Sequence, residues 1–369
     1  MPEFVVPTLF GLEGPVANEL RRMALENVRA ENGRVRFEGD GLACAKANLR
    51  LRMGERVLLL LGSFEARSFD QLFEGVRALP LADYIPRNGQ FPVKGYCLNS
   101  ALHSVPDCQR IIKKAAAVKL GQSYGEAWLS EDGALHQLQF SIIKDRADIY
   151  LDTTGAPLFK RGYRPGHVAA PLRETLAAAL VDLARYRGRD GFCDPFCGSG
   201  TIAIEAALTA RNRAPGLHRN FSAQGWSLFS ARVWAEAAAE ARSLEYDGTY
   251  HIFASDIDPK AVALSRENAR RAGVEKDITF AVADARSFVP PGEKGAVVCN
   301  PPYGERMLEK QQARELYKKF GAAMVRTADW KTFVISSDAD FERYYGKTAD
   351  KKRKLYNGML PCNLYMYFG

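Results

Sequence analysis

The sequence predicts an α/β protein in which a doubly wound, mainly parallel sheet follows two smaller α+β units. Three observations support this fold class. Residues 191–210 run from a short apolar strand through a glycine turn into a helix, two later strands each end in an acid at Asp256 and Asp284, and residues 1–62 alternate strand and helix signals. Strands that alternate with helices indicate a parallel sheet whose ligand binds beyond the carboxyl ends of the strands.

The first 62 residues predict a small layer of helices on an antiparallel sheet. Residues 4–10 form an apolar strand, residues 15–25 have helical spacing, and residues 28–37 form a hairpin over the turn Asn32-Gly33. A helix and a strand follow at 42–51 and 57–61. The order β-α-β-β-α-β predicts a ferredoxin-like unit.

A second unit follows, and its helix over 107–120 carries a basic face. The helical period directs Ile112 and Ala115 toward a core and leaves Lys113 and Lys114 outside. A basic face of this kind is typical of a solvated surface and also of a contact with RNA phosphates.

The glycine turn at residues 194–201 predicts a nucleoside cradle. Glycines let the backbone approach a ligand closely at the start of a helix. The chain contains neither G-x-G-x-x-G in this turn nor G-x-x-x-x-G-K-[ST] anywhere, which disfavours pyrophosphate and triphosphate ligands. The candidate cofactor-binding residues here are Asp194, Pro195, Phe196, Cys197, Gly198, Ser199, Gly200 and Thr201.

Acidic residues end the next two predicted strands. We expect Asp256, followed by Ile257, to accept the ribose hydroxyls of a nucleoside, and Asp284, followed by Ala285, to meet its adenine. A helix cap or a solvated strand end is the structural alternative for each acid. Asp256 lies farther from the turn than the usual ~20 residues, which predicts an insertion between them.

The tetrapeptide Asn300-Pro301-Pro302-Tyr303 follows an apolar strand at 295–299. An exocyclic amine is a poor nucleophile because its lone pair is delocalised. The Asn300 side-chain oxygen and the Pro301 carbonyl can each accept one N–H of such an amine, two prolines hold these acceptors rigidly, and Tyr303 offers a face for an unstacked base. We predict all four residues as catalytic, with Asn300 also bordering the cofactor. A strand followed by a proline turn is the alternative.

These motifs resemble those of class I S-adenosylmethionine methyltransferases that modify amines. Residues 103–120 resemble the core of an RNA-binding THUMP domain, and residues 152–164 resemble the linker of THUMP-containing guanine-N2 methyltransferases. Residues 213–219 and Trp226 are similar to the insertion of that family, as is the continuation Gly304-Glu305-Arg306 after the tetrapeptide. The chain is most similar to the bacterial enzymes of this family that act on large-subunit ribosomal RNA.

The resemblance implies three domains: a ferredoxin-like domain at 1–62, a THUMP domain with its linker at 63–165, and a Rossmann-like methyltransferase domain at 166–369. It implies S-adenosylmethionine as cofactor, the N2 amine of a guanosine in 23S RNA or its assembly intermediate as target, and RNA contacts from Lys113, Lys114, Arg161 and Arg164. Transfer RNA is an alternative substrate, and a non-catalytic RNA-binding or ribosome assembly protein is an alternative function. The THUMP-like segment argues against DNA adenine and protein glutamine methylation, which use a similar tetrapeptide.

Composition agrees with these expectations. The formal net charge of +8 over 369 residues suits a polyanionic partner. Apolar runs of membrane-spanning length and a signal-peptide pattern are absent from the sequence, so we expect a cytoplasmic protein without a membrane or an obligatory protein partner. The seven cysteines include no C-x-x-C pair, and with five histidines they indicate neither a metal site nor a disulfide framework.

Two further segments carry expectations. A helix that opens at residues 170–176 could place Glu174 and Thr175 beside the methionine end of the cofactor, or these residues could simply cap it. Residues 354–360 predict a hairpin over the turn Asn357-Gly358, and the basic run at 351–354 beside it suits either a solvated loop or a phosphate contact.

Overall fold

The computed structural model contains two seven-stranded sheets. It describes residues 1–164, 172–303, 307–324, 327 and 329–368. The alternation of strands and helices along the chain confirms the predicted α/β class.

The first sheet has the strand order β2-β3-β1-β4-β7-β6-β5. Its elements are β1 (Glu3–Pro7), α1 (Glu13–Arg22), β2 (Glu26–Glu31), β3 (Arg34–Glu38), α2 (Gly41–Arg50), β4 (Leu58–Glu65), α3 (Phe69–Arg77), β5 (Val93–Leu98), α4 (Val105–Tyr124), β6 (Leu138–Ile143) and β7 (Arg146–Asp152). The predicted domain division at residue 62 falls inside β4, which pairs with β1 and β7. The two predicted N-terminal units therefore share one sheet, and the exact division remains a prediction.

The second sheet has the order β10-β9-β8-β11-β12-β14-β13. Its elements are α5 (Glu174–Leu183), β8 (Gly191–Asp194), α6 (Thr201–Ala210), α7 (Ala231–Ser243), β9 (Ile252–Asp256), α8 (Pro259–Arg271), β10 (Ile278–Val282), β11 (Gly295–Cys299), α9 (Met307–Met324), β12 (Trp330–Ser336), α10 (Phe341–Tyr345), β13 (Lys351–Asn357) and β14 (Leu360–Tyr367). Strands β8 to β12 are parallel, and β14 and β13 add antiparallel pairs at one edge. The predicted C-terminal hairpin is confirmed, and its basic run lies in β13.

Strand β8 lies at the topological switch point of this sheet, because the chain continues to β9 on one side and returns to β11 on the other. Ligands of doubly wound sheets bind beyond the carboxyl ends of the strands at such a point. Both faces of β11 are buried: Val298 belongs to one apolar cluster, and Val297 and Cys299 belong to the cluster on the opposite face. This burial fixes the direction in which residue 300 leaves the sheet.

The predicted insertion between the glycine turn and Asp256 contains α7 and joins the two sheets. Trp226 is buried, stacks on His136 with ring centroids 4.8 Å apart, and donates its indole N–H to the Leu135 carbonyl at 2.8 Å. Glu240 on α7 pairs with Lys46 on α2 at 2.6 Å. The insertion therefore packs the second domain against the N-terminal one. Among the described helices, none combines the length and the apolar character that crossing a membrane requires.

Candidate active site

The glycine turn between β8 and α6 is held by a hydrogen bond to the acid that ends β9. The Gly198 N–H donates to Asp256 Oδ2 at 3.0 Å, and both Gly198 and Gly200 have positive φ, +50° and +84°. A Cβ at Gly200 would lie 2.3 Å from Ser265 Oγ, whereas a Cβ at Gly198 would meet no atom within 4 Å. Gly200 is thus required for packing, and Gly198 leaves open space where a ligand can approach.

Asp194 ends β8 and is almost fully buried. Its Oδ1 accepts the Phe196 N–H at 3.2 Å, which shapes the turn. Burial, together with a smaller contribution from the neighbouring Asp256 carboxylate, raises the pKa of Asp194 to about 8. We infer that Asp194 keeps the turn in place as a largely protonated carboxylic acid near neutral pH.

Asp256 ends β9 with both carboxylate oxygens already in use. Oδ1 accepts the Asp258 N–H and Oδ2 accepts the Gly198 N–H, each at 3.0 Å. A carboxylate has about four lone-pair sites, so each oxygen retains one for a ligand hydroxyl. The side chain of Ile257, which is 62% exposed, lies beside it.

Asp284 follows β10 and caps the short 3-10 turn at residues 285–287. Arg286 donates from Nε to Asp284 Oδ2 at 2.7 Å, and this ion pair holds the pKa of the Asp284 carboxyl below its usual range. The predicted cap role is therefore present, and the carboxylate is half-buried against Arg286. Arg286 is a further residue of the site that no motif in the sequence predicted.

The structure brings most of the predicted cofactor residues to two adjoining cavities. The larger, of about 820 Å³, lies at the carboxyl edge of the sheet, and its lining includes Pro195, Phe196, Gly198, Asp256, Ile257, Asp284, Ala285, Arg286, Asn300 and Pro302. The smaller, of about 430 Å³, is lined in part by Leu172, Asp194, Phe196, Cys197, Gly198, Ser199, Thr201 and Asn300. Phe196, Gly198 and Asn300 line both cavities. Gly200, Pro301 and Tyr303 line neither of the two.

The tetrapeptide leaves β11 and is fixed by two tyrosine hydroxyls. Tyr303 donates to Asn300 Oδ1, and Tyr317 on α9 donates to the Pro302 carbonyl at 2.7 Å. Burial raises the pKa of Tyr303, so its hydroxyl keeps its proton and remains a donor. The predicted continuation Gly304-Glu305-Arg306 lies outside the described residues.

Helix α9 forms one wall of the larger cavity, which the sequence analysis missed. Gln311, Gln312, Glu315, Leu316 and Lys319 line the cavity, while the opposite face of the helix is buried. The buried residues Ala313, Tyr317, Phe320 and Met324 recur at spacings of three and four, which is the signal that could have identified this helix. Phe320 also packs edge-on against Phe196, with ring centroids 5.1 Å apart.

The predicted RNA-binding lysines lie on α4 of the first sheet. Lys114 is exposed. Lys113 is half-buried: its ammonium lies 2.6 Å from both Glu131 carboxylate oxygens and 3.4 Å from the centre of the Phe91 ring. The lysine pair is thus divided between one solvent-facing cation and one that is already neutralised.

We correct the predicted roles of the two linker arginines. Arg161 is 4% exposed and donates from Nε to Glu205 at 3.3 Å and from Nη1 to the Leu158 carbonyl at 2.9 Å. Arg164 donates to Glu174 at 2.8 Å, and its side chain is only 12% exposed. Neither guanidinium is free for an RNA phosphate, because each joins the linker to a helix of the second domain.

The segment that precedes β8 contains residues that pack the domains together and one residue that lines a cavity. Glu174 is paired with Arg164, and the Thr175 hydroxyl donates to Glu55 at 2.6 Å, so both side chains are used in packing the domains together. Leu172 is the residue of this segment that lines the smaller cavity. Residues 170 and 171 of the predicted helix lie outside the described residues.

Comparison with known protein families identifies the family of this chain. A model described as the RMKL-like methyltransferase domain matches residues 161–366. The chain belongs to this family. The RMKL-like domain is preceded by matches to the RlmL ferredoxin-like domain at residues 3–58 and to the THUMP domain at residues 66–152.

Individual relatives agree with this family. A Bacillus subtilis (strain 168) protein named "Putative RNA methyltransferase YpsC" is 45% identical over 97% of this chain and 94% of its own length. The ribosomal RNA large subunit methyltransferase K/L of Psychromonas ingrahamii is 32% identical over all of this chain, which spans 50% of that relative. The crystal structure of SMU.472 complexed with SAH is 38% identical and superposes with a TM-score of 0.94, over 100% of this chain and 98% of that one.

The family matches confirm the resemblance to methyltransferases that the sequence motifs indicated. The chain is an RNA methyltransferase of the RMKL-like family, with a Rossmann-like methyltransferase domain preceded by ferredoxin-like and THUMP domains. The predicted cofactor, S-adenosylmethionine, is likewise confirmed at the level of this methyltransferase family.

Proposed function

We propose that this methyltransferase transfers a methyl group to the exocyclic N2 amine of a guanosine in 23S ribosomal RNA. The observation that carries the proposal is the position of Asn300, which lines both cavities. The name of the Psychromonas ingrahamii relative supports a ribosomal RNA substrate, and the SAH complex of SMU.472 supports the cofactor.

The cavity residues fit S-adenosylmethionine. The volume of about 820 Å³ falls in the range of small-molecule sites. Asp256 retains acceptor sites for ribose hydroxyls, Ile257 offers an exposed apolar side chain to the adenine ring, and Asp284 presents a carboxylate for the adenine amine. The smaller cavity would take the methionine end, next to Thr201 and Leu172. When bound, this cofactor supplies an electrophilic methyl group on sulfur.

Asn300 would orient the guanine amine. A carbonyl oxygen has two lone pairs, and Tyr303 uses one of those on Oδ1, so the second can accept an N–H of the substrate. The Pro301 carbonyl would accept the other N–H. These two acceptors hold the nitrogen with its lone pair directed at the methyl donor, and such alignment supplies much of the rate of a displacement reaction. After the transfer the methylated nitrogen carries a positive charge, which makes it more acidic than the original amine, and it can then release a proton.

RNA would reach this site from the N-terminal sheet. We propose that Lys114, which is exposed on α4, contacts RNA phosphates, and that Lys113 contributes where phosphate replaces Glu131 as its partner. Backbone contacts of this kind set the register of an RNA without reading its sequence. Such a substrate places the proposed activity in the cytoplasm.

The test is to incubate the purified protein with radiolabelled S-adenosylmethionine and with total RNA and DNA from a strain that lacks its gene. Label recovered in 23S RNA as N2-methylguanosine supports the proposal. Label in transfer RNA keeps the chemistry and changes the substrate, and label in DNA as N6-methyladenine overturns both. Verified cofactor binding without transfer to any of these would lead us to test ribosomal precursor particles and, if these also fail, to assign a non-catalytic role.

A further inference from the structure

Two exposed apolar side chains, Phe10 and Met359, lie with the half-buried Tyr356 and the exposed Lys354 around the β13–β14 hairpin. We call these four residues the rim surface. Met359 is 98% exposed at the tip of the β13–β14 hairpin, and Phe10 is 57% exposed in the loop after β1. Single exposed apolar residues are common, but a cluster beside an active site indicates an interaction surface.

Two distant parts of the chain build the rim surface. The rings of Phe10 and Tyr356 meet edge to face, with centroids 6.1 Å apart and an interplanar angle of 87°. Arg353 donates to the Gly11 carbonyl, and a Cβ at Gly11 would lie 3.1 Å from the Lys354 carbonyl oxygen, so there is little room for the loop to move inward. The two aromatic rings are therefore held in place by a fitted contact between the domains.

The rim surface adjoins the catalytic tetrapeptide through Tyr303. Tyr303 packs against the apolar cluster that contains Cys362, and the side chains of Cys362 and Asn357 both act on its pKa, although burial is the largest cause of the raised value. These two residues flank the turn that carries Met359. The Tyr303 hydroxyl in turn donates to Asn300. Met359 thus lies at the tip of the hairpin whose strands reach Tyr303, the tyrosine that donates to Asn300.

The charge next to the rim surface favours RNA as its occupant. β13 is an edge strand of the sheet, and Lys351, Lys352 and Lys354 are exposed along it. Lys352 is paired with Glu342 at 2.8 Å, and the Lys354 ammonium lies 5.7 Å from the centre of the Tyr356 ring. Aromatic rings interleaved with cations are typical of surfaces that stack bases and contact the phosphates between them.

We propose that the rim surface binds the nucleotides that flank the target guanosine. Phe10 and Tyr356 stack on a flanking base, Met359 occupies the position that the guanine leaves when it is unstacked, and Lys354 contacts an adjacent phosphate. Apolar side chains inserted at the vacated position offset part of the cost of unstacking a base. The inference rests on the proposed function, because it requires a nucleotide to be presented to Asn300.

The first experiment uses an unstructured oligoribonucleotide of about 12 nucleotides, with one central guanosine and 4-thiouridine beside it. Bound to the full-length protein with S-adenosylhomocysteine and irradiated, it should cross-link to the peptide that contains Tyr356 and Met359 or to the one that contains Phe10. Because stacking is sequence-tolerant, the wild-type protein should bind this RNA without further sequence requirements. Failure to bind it, or cross-links confined to other peptides, overturns the proposal.

Substitutions of Tyr356 test how much stacking contributes to RNA affinity. Tyr356→Ala should weaken binding of the same RNA about tenfold at a fixed salt concentration, with unchanged affinity for S-adenosylhomocysteine. Tyr356→Phe should restore binding. The matched control is Tyr246→Ala, which removes an aromatic ring that is 59% exposed and lies outside the rim surface, and it should leave RNA affinity unchanged. Equal RNA affinities of Tyr356→Ala and this control would refute the stacking role.

Met359→Ala should slow methyl transfer to total RNA without changing cofactor affinity, and transfer at the wild-type rate would refute the insertion role. The proposed function fails separately, when the wild-type protein methylates a different acceptor. In that case the cross-links still report whether the rim surface binds RNA.

Discussion

The hydroxyl of Tyr303 donates a hydrogen bond to Oδ1 of Asn300, the oxygen that the proposed reaction requires as an acceptor. This bond fixes which way the Asn300 amide is turned, because a tyrosine whose pKa is raised by burial donates and does not ionise. The free lone pair of Oδ1 is then available for the substrate amine. Tyr303 therefore acts on the chemistry through its hydroxyl as well as through its ring.

Tyr303→Phe keeps the ring and removes the donor. A net hydrogen bond is worth about 1 kcal/mol, so we expect a fall in kcat of about fivefold to tenfold with little change in cofactor affinity. Single-turnover methyl transfer and titration calorimetry measure the two quantities. A variant with the kcat of the wild type would show that the amide orientation is set elsewhere.

Asn300→Ala removes the acceptor itself. We expect turnover to be abolished, while binding of S-adenosylmethionine is nearly intact because the carboxylates of the larger cavity remain. Calorimetry with the cofactor is the control for folding. Turnover at the wild-type level would remove Asn300 from the catalytic role.

Asp256→Ala should instead weaken cofactor binding. Hydrogen bonds to a charged group are worth about 1.5–3 kcal/mol, so the Kd should rise roughly tenfold to a hundredfold. The variant also removes the acceptor of the Gly198 N–H, so its free energy of unfolding is measured alongside its cofactor affinity. Cofactor affinity equal to the wild type would exclude the ribose role.

Substitutions of Arg161 and Lys114 distinguish a buried structural cation from an exposed cation that we propose binds RNA. Arg161→Met leaves the buried Glu205 carboxylate without its ion-pair partner, which should lower the free energy of unfolding by about 3–5 kcal/mol. Lys114→Ala should leave stability unchanged and weaken RNA binding with a reduced salt dependence. Denaturant unfolding and RNA titrations at several salt concentrations test both. The interpretation is wrong if Arg161→Met is as stable as the wild type.

The raised pKa of Asp194 predicts that the stability of the protein depends on pH. Its folded pKa of about 8 lies above the ordinary value of 3.8, so the folded protein retains a proton that the unfolded chain has released. This contribution is fully present below about pH 4 and is lost as the pH rises through about 8. Asp194→Asn cannot ionise, and its stability relative to the wild type should therefore increase from pH 5 to pH 8. A constant difference over this interval would contradict the raised pKa.

The order of the local motifs was enough to predict the second domain. Hydrophobic strands, the glycines at 198 and 200, and acids at strand ends are properties of short segments, and doubly wound sheets bring the carboxyl ends of their strands to one edge. Asp256, Asp284 and Asn300 therefore meet as the sequence suggested. Helix α9 was missed although its spacing was visible, because the segment contains no residue type that is linked to the chemistry.

In contrast, the exposure of the charged residues could not be predicted from the sequence. A sequence shows that Arg161, Arg164, Lys113 and Lys114 carry positive charge, but their exposure depends on which acids the fold places beside them. Glu205 and Glu174 come from helices of the second domain, and only Lys114 of the four remains exposed.

The sequence by itself determined the class of fold and the methyltransferase family, and it predicted the cofactor cradle and the tetrapeptide at 300–303, because these are encoded by local patterns. Tertiary structure decided which cations are free, that Tyr303 holds Asn300, and that Phe10 meets Tyr356 from the opposite end of the chain. The physical reason is that burial and ion pairing depend on contacts between segments far apart in sequence, which the pattern within one segment does not specify.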